Sequence, residues 1–233
     1  MIELIDERNE NLWNLIQENH KIKFEDSLSN EYACYSQGNN ITFYIDRNDL
    51  RKDSFTHEML HVYMRIKEFY FGSSLTNTLA GHKLLSSIIS AELIEHIGNC
   101  LDHIKMLPIY LEMGFDRKKF ILDYDLYKCT NEEISQFKKF YRTGNKINTQ
   151  VVDPYIGRII SILADPNDKF NYSKDIEKLK KIDPLLFQII ERLINHTKQL
   201  KVENRELFDD NYLTVIGNFY ENLKKWISYN KIN

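Results

Sequence analysis

The sequence predicts an α+β protein, mostly helical, with a small antiparallel three-stranded sheet near its start and a helical segment at its end. Three observations lead there. Apolar residues recur every three or four positions through most of the chain, the period of an amphipathic helix. Between residues 21 and 45 that period gives way to short runs of β-formers. Gln37-Gly38-Asn39-Asn40 interrupts those runs with the chemistry of a hairpin turn.

Taken in order, residues 8–19 carry Leu12, Trp13, Leu15 and Ile16 on one helical face. Strands at 21–24, 32–36 and 41–45 follow as a meander. The strand 41–45 leads straight into the next helix and is the expected open edge. Phe55, Met59, Val62, Ile66 and Phe69 mark that helix, with Asp53 or Ser54 at its start and Gly72 past its end. Residues 72–79, rich in Ser, Thr and Asn, suggest a connection. A long helix is expected over 81–106, stopped by Pro108. The stretch 116–127 is partly apolar and is expected to be helical. Thr130-Asn131-Glu132-Glu133 is a capping box for a helix over 131–142.

Thr143-Gly144-Asn145-Lys146 is the expected boundary between a domain of residues 1–144 and a helical segment of residues 145–233. Asp153-Pro154 and Asp183-Pro184 each pair a cap with a proline at the first helical position. Asp209 or Asp210 is the expected start of a last helix. Lys178, Lys180 and Lys181 sit among Asp175, Glu177 and Asp183 and suggest a solvated face.

Composition narrows the function. The chain has 233 residues, 42% hydrophobic and 28% charged, as an ordinary folded domain does. A net charge of −3 gives no overall field toward nucleic acid or acidic membranes. No basic stripe with interleaved aromatics appears, so no nucleic-acid partner is expected. The first seven residues are acidic, unlike a signal peptide. No apolar run reaches the ~18 residues needed to span a bilayer, so no membrane role is expected. Cys34, Cys100 and Cys129 are odd in number and widely spaced. They suggest reduced thiols in a cytoplasmic protein.

His57-Glu58-Met59-Leu60-His61 carries the chemistry. On a helix, positions i and i+4 lie one above the other. His57 and His61 therefore project to one point, as two ligands of a Zn2+ ion must. Glu58 is the expected general base, taking a proton from water at the metal. A catalytic zinc takes three protein ligands and keeps one position open. The long downstream helix offers Glu92, Glu95, His96, Asp102 and His103. Glu95 is the expected third ligand, since it completes a His-His-Glu set; Asp102 and His96 are the alternatives. Asn99 shares its face with Glu95 and Asp102, one turn from each, where a side chain can hold a histidine ring from behind. His103 and Tyr110 are candidate electrophiles for an oxyanion. His82 is placed to cap a helix or line a cleft, and His20 and His196 are expected at the surface.

Glu95-His96-Ile97-Gly98-Asn99, followed by Pro108 at the end of an apolar run, resembles the third-ligand helix of the ImmA/IrrE-type metallopeptidases. The order of elements over residues 8–115 is similar too. The resemblance implies a zincin-like core, His57, His61 and Glu95 as zinc ligands, and Glu58 as catalytic base. It implies a cytosolic regulatory protein, such as a transcriptional repressor, as the substrate. The family's small residues after the Asn are replaced here by Cys100-Leu101-Asp102-His103.

The expected activity is hydrolysis of a peptide bond in a protein or peptide. The alternative is a zinc-containing protein-binding module with a vestigial site, using the apolar face of Leu185, Ile189, Leu193 and Ile194. Three protein ligands and an open position favour the enzyme; a fourth protein ligand favours the module.

Overall fold

The structure is a computed structural model that describes residues 2–203 and 211–232. It divides into two compact units. Unit 1 joins Met1–Phe69 to Lys105–Asp125, and unit 2 joins Tyr70–Ile104 to Leu126–Asn233. The boundary expected near residue 144 falls inside unit 2, in a short hairpin.

Unit 1 begins with helix α1 (Glu10–Asn19), followed by strands β1 (Lys21–Asp26), β2 (Ala33–Gln37) and β3 (Asn40–Ile45). Helix α2 (Lys52–Ile66) follows the sheet. The β2–β3 hairpin turns on Gly38, whose φ of +56° suits a residue without a Cβ. The sheet is mixed and not an antiparallel meander: its order is β1-β3-β2, with β1 parallel and β2 antiparallel to β3. The strand 41–45 is therefore central, and β1 and β2 are the edges. Burial explains the order. Ile41, Phe43 and Ile45 of β3 are all within 4% of full burial, while β2 offers only Ala33, Cys34, Tyr35, Ser36 and Gln37. The most apolar strand takes the position flanked on both sides.

Trp13, Phe24, Phe43 and Phe55 join α1, the sheet and α2 in one cluster, with ring centroids 5.0–6.5 Å apart. Such pairs add about 0.5–1.5 kcal/mol each beyond the area they bury. Buried Asn9 fixes the start of α2. Its amide donates to Thr56 Oγ1 at 2.9 Å and to the Leu4 carbonyl at 3.0 Å.

In unit 2, residues 70–104 form three helices instead of a connection and a long helix. These are α3 (Phe71–Ala80), α4 (Lys83–Ile88) and α5 (Ala91–Glu112), the last running on into unit 1. Leu75 and Leu79 bury one face of α3, an apolar signal that the local Ser, Thr and Asn content conceals. The break before α5 is made at Ser90. Its hydroxyl accepts from the Leu93 N–H at 3.0 Å, and Asp153 takes its N–H and O–H at 2.9 and 2.7 Å. Asp153 is thus spent on another helix. Helix α7 (Thr149–Leu163) is capped by Asn148 and carries Pro154 inside. Pro108 also sits inside its helix, and α5 continues four residues beyond it. A proline costs about 3 kcal/mol in a helix interior, and burial of Met106 and Tyr110 on either side opposes that cost.

Gly98 decides how α3 and α5 meet: a Cβ there would lie 2.7 Å from the Gly72 Cα. Helix α6 (Asn131–Phe140) starts at the expected box, Thr130 accepting from the Glu133 N–H at 3.1 Å. A second small sheet follows, of β4 (Arg142–Thr143), β5 (Lys146–Ile147) and β6 (Lys231–Ile232). Helices α8 (Ser173–Lys180), α9 (Pro184–Gln199) and α10 (Tyr212–Tyr229) complete the unit. Asp183 caps α9 as expected. Asp209 and Asp210 lie outside the described residues, and α10 is capped by Asn211. Ile189, Leu193 and Ile194 are buried, where α9 packs on α7, α8 and α10. No helix among the described residues is long and apolar enough to cross a membrane.

Candidate metal centre

The sequence of α2 places His57 and His61 on one face, and their Nε2 atoms lie 3.2 Å apart. Two nitrogens bound tetrahedrally at roughly 2.0–2.1 Å would lie about 3.3–3.4 Å apart. The pair is therefore already spaced for a shared ion. A third nitrogen comes from His103 of α5. One atom from each of His57, His61 and His103 falls within 4.8 Å of the others, a group able to hold a metal ion. Each of the three residues is half-buried. Among the described residues no fourth His, Cys, Asp or Glu joins them.

His57 is pushed well below its ordinary pKa, first by burial and then by the neighbouring His61, with the Phe120 backbone opposing. A neutral imidazole is the form that ligates. The Phe120 ring lies 4.8 Å from that of His57.

Glu58 is raised, chiefly by burial. The charge of His61 and hydrogen bonds from the Cys34 side chain and backbone pull it the other way. Some of its surface remains accessible even though atoms surround it densely. Cys34 belongs to edge strand β2, so the base is tied to the edge of the sheet.

The remaining candidates are placed as follows. Glu95 and Asn99 are exposed on α5 and are not in the histidine group. Asn99 stands one turn before His103 on α5, and Glu95 two turns before it, rotated by about 80° at ~100° per residue. Asp102 is buried to 2% exposure, beside His103 in sequence, and does not join the group. His96 Nε2 lies 3.0 Å from Ser161 Oγ on α7, and its ring is held there. His82 caps α4, its Nδ1 accepting from the Leu85 N–H at 3.2 Å. His196 is exposed. His20 is half-buried, with its Nδ1 enclosed.

Tyr110 is fully buried, and its hydroxyl has no hydrogen-bond partner among the described residues. Its ring stacks on Phe115 at 5.0 Å and meets Phe120 edge-on at 5.1 Å. Phe120 thus touches the rings of both Tyr110 and His57. Burial drives the Tyr110 phenol far above its usual range, so it stays protonated.

Phe120 and Cys34 were not singled out from the sequence. Phe120 follows Arg117–Lys119, a single 3-10 turn where a helix was expected. No local pattern reveals that either residue returns to α2.

The chain matches no family model, no curated protein and no solved structure in the comparisons made.

Proposed function

We propose that the protein is a zinc-dependent metallopeptidase that hydrolyses a peptide bond in a protein substrate. One observation carries the reading: three histidine nitrogens converge at the helix that bears Glu58, with no fourth protein ligand among the described residues. Structural zinc sites close with four protein ligands, commonly Cys, whereas catalytic ones use three and leave a position open. A trio of histidines is one of the known catalytic sets. When bound, a zinc ion supplies Lewis acidity toward a carbonyl and toward water.

The chain's own residues account for the rest. His57, His61 and His103 would hold the ion. Glu58 takes the proton from the attacking water as the carbon–oxygen bond forms. It then delivers that proton to the leaving nitrogen as the carbon–nitrogen bond breaks. Burial raises the Glu58 pKa toward working pH, where a carboxylate is a more effective base. Cys34, on the edge strand, orients the carboxyl from behind. An extended substrate is taken to lie along edge strand β2. This assigns to β2 the edge role expected of residues 41–45.

The resemblance to ImmA/IrrE-type metallopeptidases points the same way, with His103 taking the place that the family pattern gives to Glu95. A repressor-like regulatory protein is the substrate class that this resemblance suggests.

The test pairs metal analysis with peptide cleavage. The purified chain is expected to carry one zinc, and His57→Ala and His103→Ala to lose it. Glu58→Gln is expected to keep the zinc and lose about 10²–10⁴-fold in cleavage rate. Undiminished cleavage by Glu58→Gln, or full zinc content in His103→Ala, overturns the assignment.

A further inference from the structure

A cavity of about 560 Å³ opens in unit 2 between α6 and α8. Its wall carries four cations, Lys138, Arg142, Lys178 and Lys181, and no carboxylate. That is unusual in a chain of net charge −3. Two of the four are matched from outside the cavity. Lys178 Nζ lies 3.4 Å from Asp175, and Arg142 lies 3.8 Å from Asp183. The side chains of Lys138 and Lys181 make no ion pair or hydrogen bond among the described residues. Four positive charges less two matched leave two open. The Lys178–Lys181 stretch, expected as a solvated face, supplies one of these two, Lys181, and α6 supplies the other, Lys138.

Two of the donors are also held in place. Lys178 Nζ donates to Asn131 Oδ1 at 2.6 Å, and Arg142 Nη2 donates to Asn230 Oδ1 at 3.2 Å. Donors fixed in advance lose less freedom when a ligand arrives. The rest of the wall is Asn131 and Ser135 together with the apolar surface of Ile134, Tyr141 and Ile182. The volume lies within the roughly 300–1,000 Å³ of small-molecule sites.

We propose that this cavity binds a phosphomonoester dianion carried on an apolar or aromatic body. A phosphomonoester bears about −1.5 to −2 charges at pH 7, which matches the two open cations. A monocarboxylate would leave one of them unmatched. The apolar wall adds affinity only for a ligand with a body to bury there, which separates an organic ester from free phosphate. A nucleic-acid strand would need a cationic track beyond the cavity, and the overall charge opposes one.

The test is calorimetric titration of the full chain with phenyl phosphate, set against inorganic phosphate and benzoate. Phenyl phosphate is expected to saturate one site at least about tenfold more tightly than either control, since it alone offers both the charge and the ring. The double variant Lys138→Glu/Lys181→Glu is expected to weaken it by more than about tenfold, and Lys138→Gln/Lys181→Gln by less. Lys138 and Lys181 are both exposed, so unchanged melting temperatures will show that the fold is kept. Absence of saturation, equal affinity for inorganic phosphate, or full binding in the Glu double variant overturns the proposal. So does tighter binding of a single-stranded oligonucleotide that depends on the same two lysines.

Discussion

Asp183 in unit 2 and Tyr110 in unit 1 are both almost wholly buried, and their polar atoms are treated differently. The Asp183 carboxylate accepts from Tyr141 Oη at 2.9 Å, from Trp226 Nε1 at 2.9 Å and from the Leu186 N–H at 2.9 Å. It ties α9 to the end of α6 and to α10, and caps α9 as it does so. The Tyr110 hydroxyl is enclosed to the same degree and has no hydrogen-bond partner among the described residues. A satisfied buried network rigidifies a core, whereas an unmet polar atom costs about 1–3 kcal/mol. Where a fold keeps such an atom, a functional reason is the first to test. Unit 2 thus spends its buried polarity on stability around Asp183. Unit 1 keeps an unpaired phenol one ring away from the His57 imidazole.

Removing the hub should have the largest effect. Asp183→Ala strips the α9 cap and leaves the Tyr141 and Trp226 donors buried without an acceptor. A loss of about 3–5 kcal/mol is expected, read by denaturant unfolding. A loss below about 1 kcal/mol would mean that the network is dispensable.

The two tyrosines test the contrast directly. Tyr141→Phe should cost about 1.5–3 kcal/mol, because it removes a hydrogen bond to a carboxylate. Tyr110→Phe should be neutral or stabilise by up to about 1 kcal/mol, because it removes an unmet hydroxyl. The same denaturation series measures both. Equal losses for the two variants would erase the distinction between the regions.

Alkali tests the phenols together. Tyr127 is raised to about 12, first by burial and then by its hydrogen bond to Asp175. Burial also raises Tyr141, Tyr155 and Tyr172. A phenol whose folded pKa lies above its unfolded value adds stability that is complete below the unfolded value, about 10. That stability is lost as pH rises through the folded value. The melting temperature should therefore be flat up to about pH 10 and fall between about pH 10 and 12. Tyrosinate absorbance should lag behind that of free tyrosine until unfolding. A melting temperature that holds through pH 12 would contradict it.

Local chemistry made much of the fold legible. Thr130 and Asp183 announced their helices because a cap is a contact between near neighbours in sequence. Gln37-Gly38-Asn39-Asn40 announced its hairpin because only a few residues favour a positive φ. The spacing of His57 and His61 set their shared face for the same reason: one helical turn fixes it. Asp153 misled because a side chain that looks like a cap can be taken by a distant partner, here Ser90. Ser90 itself gave no sign that it would split the long helix.

The sequence by itself determined the helices with strong caps, the three strands, and the pairing of His57, Glu58 and His61 on α2. Those depend on backbone preference and on separations of four residues or fewer. Only the tertiary structure decided that β3 would be central, that His103 and not Glu95 would join the histidine pair, and that Cys34 and Phe120 would flank it. Each of those outcomes is a competition for burial among segments far apart in the chain. Glu95 and His103 stand on one helix, eight residues apart, and no short-range rule distinguishes the face that packing turns inward from the one left to solvent.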